Sequence, residues 1–69
     1  MRLEFCVKYF ASEGKAKWWA KKHHGTLYRG TPTSKTREEY KIISEGQPGG
    51  YNEEMAAAMP YLVTWYEYK

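Results

Sequence analysis

Sixty-nine residues make one domain, close to the size below which a single apolar core struggles to hold itself together. Aliphatic side chains are few and aromatic ones make up 17% of the chain, so the core must be built largely from rings, each able to hide roughly 150–250 Å². The net charge of +3 conceals an imbalance, with nine basic and two acidic side chains in residues 1–37 against two basic and six acidic in 38–69, which predicts a basic face for an acidic partner.

A lone cysteine, Cys6, excludes an intrachain disulfide framework and fits a reducing cytoplasm. No apolar run is long enough for a membrane span and no signal-peptide pattern follows Met1. The chain reads as a complete short frame.

Residues 2–10, RLEFCVKYF, alternate as a half-buried strand does. Leu3, Phe5, Val7 and Tyr9 form the apolar face, and Arg2, Glu4, Cys6, Lys8 and Phe10 the other. Ser12 then offers an N-cap and Glu13 suits the positive end of a helix over residues 13–24. Lysines and histidines crowd its far end, and Gly25 offers a stop. Residues 26–31, TLYRGT, read as a short strand, and 32–35, PTSK, as a turn.

Residues 36–44, TREEYKIIS, fit two periods. As a strand they place Tyr40 and Ile42 on one face and form a hairpin with 26–31, the reading that the propensity of Tyr-Lys-Ile-Ile favours. As a helix they carry a Thr36/Glu39 capping box and end at Gly46 and Pro48. After the loop 45–50, Asn52 caps a short helix over 53–59 with Met55 and Met59 facing inward, and Pro60 ends it. The last strand, 61–68, carries Tyr61, Val63 and Trp65 on one face and Leu62, Thr64, Tyr66 and Tyr68 on the other.

The order β-α-β-β-α-β predicts an α+β fold, the split βαβ or ferredoxin-like two-layer sandwich. Both helices would then cover one face of a four-stranded antiparallel sheet and leave the other open. A helix over 36–45 would reduce this to a three-stranded mixed α+β domain.

Residues 14–25, GKAKWWAKKHHG, carry the most specific functional signal. Successive helical residues diverge by about 100°, so Ala16, Trp19, Ala20 and His23 share the face toward the sheet, while Trp18 points away among Lys15, Lys21 and Lys22. A tryptophan ringed by lysines has the composition of an interaction hot spot. The expected partner-binding set is Trp18, Lys15, Lys17, Lys21, Lys22, Arg29, Lys35 and Arg37. Arg2, Lys8, Tyr66 and Tyr68 would form a second, aromatic-basic set on the open sheet face. RNA-recognition domains bind bases on such a face, but the glycine–aromatic motif of their third strand is missing from REEYKIIS.

Reaction chemistry finds little support. Aspartate is absent, the serines sit in no nucleophile elbow, and Cys6 has no histidine beside it in sequence. His23 and His24 diverge, and no CxxC or HExxH spacing occurs, so neither a metal nor another cofactor is expected.

The sequence therefore points to a non-enzymatic cytoplasmic binding protein that occupies an acidic protein or nucleoprotein surface stoichiometrically. Direct RNA or DNA binding and a homodimeric structural domain are the alternatives, with the chain a monomer or a homodimer and no membrane involved. In size and style alone, without any shared motif, it is comparable to bacteriophage host-takeover proteins such as anti-CRISPR inhibitors.

Overall fold

The alternation in residues 2–10 forms β1, Leu3–Phe10, in a computed structural model that describes residues 1–69. Helix α1, Glu13–His23, follows, then β2, Thr26–Arg29, helices α2, Arg37–Glu45, and α3, Glu53–Ala58, and finally β3, Tyr61–Tyr68. Strand β3 lies in the centre, paired antiparallel with β1 on one side and β2 on the other. The register sets Leu3 opposite Tyr68 and Phe10 opposite Tyr61, with Thr26 opposite Thr64 on the other edge.

Helix α1 packs on one face of this sheet through Ala16, Trp19 and Ala20, which meet Val63 and Trp65 of β3. The opposite face holds a second core in which Tyr40 of α2 and Ala56 of α3 close over Leu62, with Val7, Tyr9 and Tyr28 around them. The four residues Leu62, Val63, Thr64 and Trp65 are consecutive and all buried. A strand covered on both faces reads this way, as a run rather than an alternation.

Residues 37–45 are helical, so the sheet has three strands and the four-stranded arrangement does not form. The three-stranded α+β reading is the one that holds. Helical spacing brings Tyr40, Ile43 and Ser44 to one face, where Tyr40 and Ser44 are buried and Ile43 packs on the core. Ile42, which a strand would have paired with Tyr40, is 67% exposed. Tertiary burial of that face outweighs local strand propensity.

The expected capping box is absent as well. The Thr36 hydroxyl instead accepts from the Arg29 N–H at 2.6 Å and donates to the Arg29 carbonyl at 3.1 Å, tying the start of α2 to β2. With α2 and α3 on one face and α1 on the other, no open sheet face spans the domain.

The other caps follow the sequence. The Ser12 Oγ accepts from the Lys15 N–H at 3.4 Å, and the Asn52 Oδ1 from the Met55 N–H at 2.6 Å. Helix α3 stops at Ala58, and its inward residue is Ala56, whereas Met59 is 44% exposed. Helix α1 ends in a left-handed turn at His24, with φ 55°. Gly25 is needed for a different reason than a cap: a Cβ there would lie 2.5 Å from the Thr64 carbonyl oxygen, so the chain crosses the sheet at backbone distance.

Candidate partner-binding surface

The two adjacent tryptophans part as helical geometry dictates. Trp19 lies among rings, with centroid distances of 4.3 Å to His23, 5.5 Å to Trp65 and 6.0 Å to Phe10. The Lys8 ammonium sits 4.5 Å from the Trp19 centroid and closes the stack from the β1 side. The indole Nε1 of Trp19 and the Nε2 of His23 are both buried without a hydrogen-bond partner.

Trp18 is 59% exposed. Its ring neighbours come from its own helix: Trp19 at 6.4 Å and the Lys22 ammonium 4.8 Å from the ring centroid. The loop 45–51 cannot cover it, because Tyr51 packs with Tyr40 on the far side of the sheet. Lys15 and Lys21 flank Trp18 one turn before and after, both exposed and without a carboxylate partner.

The remaining predicted cations do not all join this patch. Lys17 pairs with Glu13 at 3.0 Å and Arg29 with the same carboxylate at 3.4 Å. These two cations hold the Glu13 carboxyl below its usual range, Lys17 first, and their charge is largely answered within the chain. Lys35 stands exposed on the segment leading to α2. Arg37 opens α2 and lies in the layer opposite α1, where it lines a cleft of about 390 Å³ with Tyr51, Glu53, Pro32 and Pro60. Its Nε is buried without a partner. Nothing in the sequence pattern marked this cleft.

The second predicted set is divided by the sheet itself. Arg2 and Lys8 belong to the face of Glu4 and Cys6, whereas Tyr66 and Tyr68 stand opposite Phe5 and Leu3 on the other face. Arg2 bonds Glu4 at 3.1 Å and Lys8 covers Trp19. Tyr66 and Tyr68 are exposed because α2 and α3 do not reach that end of the ribbon. Leu3 and Phe5, read from sequence as core, are 52% and 49% exposed beside them, and Phe5 packs on Tyr66 at 5.3 Å.

Cys6 is tied to a carboxylate. Its Sγ donates to Glu67 at 3.6 Å, and the same oxygen accepts from the Trp65 indole at 2.6 Å. Burial, and then the Glu67 charge, push the thiol up, while the indole N–H holds the Glu67 carboxyl low. A thiol in that setting is disfavoured as a thiolate, and a carboxylate so held is a weak base. No three His, Cys or Glu side chains converge as a metal-ligand set, and no helix is long and apolar enough to cross a membrane.

No protein-family model matches this chain, and neither a curated protein nor a solved structure resembles it at a significant level.

Proposed function

We propose that this chain is a small stoichiometric binding protein whose α1 face occupies an acidic surface on a partner protein, as an inhibitor does that acts by coverage rather than catalysis. The observation that carries this reading is the split between the paired tryptophans. Trp19 anchors α1 to the sheet, which leaves Trp18 presented to water with Lys22 against its ring. A large indole held out of the core at little entropic cost, among Lys15, Lys21 and Lys22, can be desolvated by an acidic patch with each lysine meeting a carboxylate. Lys17 and Arg29 are already paired with Glu13 and act at the rim. The single thiol supports a cytoplasmic setting.

A protein partner is favoured over RNA or DNA because the free lysines and the exposed tyrosines are separated. Lys15, Lys21 and Lys22 ride on α1, whereas Tyr66 and Tyr68 project from the opposite face of the sheet. A single-strand-binding groove needs cations and stacking rings along one track.

The test compares wild type with Trp18→Ala. Wild type is expected to capture an acidic protein from nuclease-treated extract of its own cells. It should bind the purified partner in a one-to-one complex by calorimetry, and Trp18→Ala should weaken that complex by about 2 kcal/mol, some thirtyfold. Gel shifts with mixed-sequence DNA and RNA in low salt should show no complex. A shift that vanishes steeply with added salt, or capture abolished by nuclease, would replace this reading with nucleic-acid binding.

A further inference from the structure

The two edges of the sheet are unequal. Strand β2 is four residues long, whereas β1 runs for eight without proline, glycine or bulge. A long regular edge is a template for another strand. Arg2 and Lys69 exchange both backbone hydrogen bonds, at 3.0 and 2.9 Å, and the alternation of an antiparallel ladder fixes the rest. Arg2, Glu4, Cys6, Lys8 and Phe10 turn their N–H and C=O groups inward to β3. Leu3, Phe5, Val7 and Tyr9 turn theirs to the free edge, where no strand meets them.

We propose that β1 pairs with β1 of a second copy, antiparallel and centred on Cys6, to give a continuous six-stranded sheet. The charge pattern selects both the occupant and the register. Two identical antiparallel strands are related by a twofold axis normal to the sheet, so facing residues keep the same face. Centring the axis on Cys6 sets Glu4 against Lys8 of the copy, and Lys8 against Glu4. Lys8 has no carboxylate partner in its own chain.

On the other face, the same register sets Phe5 against Val7 and Leu3 against Tyr9, apolar pairs throughout. These residues include the Leu3 and Phe5 side chains that stand exposed in the single chain. Each such pair exchanges two backbone hydrogen bonds across the new ladder. Sliding the copy by one step puts Arg2 against Lys8, like against like, and sliding it the other way puts Glu4 against Phe10 and leaves Lys8 facing Cys6. Glu4 already pairs with Arg2 at 3.1 Å and Lys69 at 3.5 Å within its own chain, so the charge that gains is Lys8, and only the centred register covers the whole strand and gives it a carboxylate.

Equilibrium sedimentation up to millimolar concentration tests this on the full chain. Wild type is expected to form a dimer, and Glu4→Lys or Lys8→Glu to raise its dissociation constant about tenfold or more by facing like charges across the axis. The exchanged double variant Glu4→Lys with Lys8→Glu is expected to restore it, with circular dichroism showing the same fold in all four proteins. The register also brings the two Cys6 Cα atoms to about 4.5 Å, a non-hydrogen-bonded pair within disulfide reach. Diamide, reduced to the hydrazine as two thiols lose two protons and two electrons, should therefore crosslink wild type on a non-reducing gel in mildly alkaline buffer. A monomer at every concentration overturns the proposal. So does a Glu4→Lys dimer as tight as wild type, or a folded double variant that stays monomeric.

Discussion

Truncating each tryptophan in turn separates the two roles that α1 combines. Trp19 is enclosed by Phe10, His23 and Trp65, with Lys8 over its ring. Removing such a ring costs about 3–5 kcal/mol, because the surrounding groups cannot collapse into the space. A 69-residue domain has only about 3–10 kcal/mol to lose, so Trp19→Ala is expected to be largely unfolded or to melt far below wild type. Trp18 keeps 59% of its surface in water. Of its roughly 250 Å², about 100 Å² is covered, worth at most about 2.5 kcal/mol at 25 cal/mol per Å². An unfolded chain that already hides part of the ring, and the atoms that alanine retains, bring this to about 1–2 kcal/mol. The assay is urea denaturation followed by far-ultraviolet circular dichroism, which does not depend on indole fluorescence. A Trp18→Ala protein that loses as much stability as Trp19→Ala would show that Trp18 is core, and the α1 contact surface would fall with it. A stable Trp19→Ala protein would refute the packing of α1 itself.

Other substitutions probe the remaining joints. Gly25→Ala must push a Cβ against the Thr64 carbonyl and should cost about 1–3 kcal/mol, whereas Gly14→Ala, whose Cβ would meet only the Ser12 Oγ at an ordinary contact distance of 3.8 Å, should stabilise α1 by up to about 1 kcal/mol; equal effects in thermal melts would contradict the close crossing at Gly25. Ile43→Ala should cost about 2 kcal/mol or more and Ile42→Ala under about 0.5 kcal/mol, since only Ile43 packs on the second core; the reverse order would restore the strand reading of 36–44. The Tyr40 phenol is pushed up to about 12 by burial and by Tyr9 and Tyr51, against an ordinary value of 10. Its neutral form is thus favoured in the folded state, so that contribution is intact below pH 10 and declines as the pH rises through 12. Denaturant midpoints should fall across that window, and Tyr40→Phe should flatten the fall.

What could be read from the chain was local. Five elements follow from alternation, caps and breakers: the strands at 3–10, 26–29 and 61–68 and the helices beginning at Glu13 and Glu53. The division between Trp18 and Trp19 follows from helical geometry alone. The segment 37–45 was ambiguous because Tyr40, Ile42 and Ile43 satisfy two periods, and what decides between them is the Leu62–Ala56 core, which exists only once the chain has folded. The open sheet face failed for the same reason. A second helix on the β2–β3 connection needs a surface to bury Tyr40, and the face opposite α1 supplies it. The exposed Leu3 and Phe5 were illegible because alternation marks an apolar face without saying how far a covering helix extends. The Arg37 cleft arises where three loops and α3 meet, with no spacing in the sequence to announce it.

The edge pairing and the α1 surface have a joint consequence. A twofold axis normal to the sheet keeps α1 of both copies on the same side, so a dimer would present two Trp18–lysine patches in one direction. Binding of the second patch to a surface carrying repeated acidic sites then becomes intramolecular, and avidity can exceed single-site affinity by about 10²–10⁴. A surface densely coated with an acidic peptide should therefore retain wild type far longer than Glu4→Lys, while the same peptide free in solution should bind both equally, because Glu4 pairs with Arg2 and Lys69 and with no lysine of α1. Trp18→Ala should weaken both modes. If Glu4→Lys also weakens the free peptide, the edge charge acts at the contact itself, and if it changes neither, the two patches do not act together.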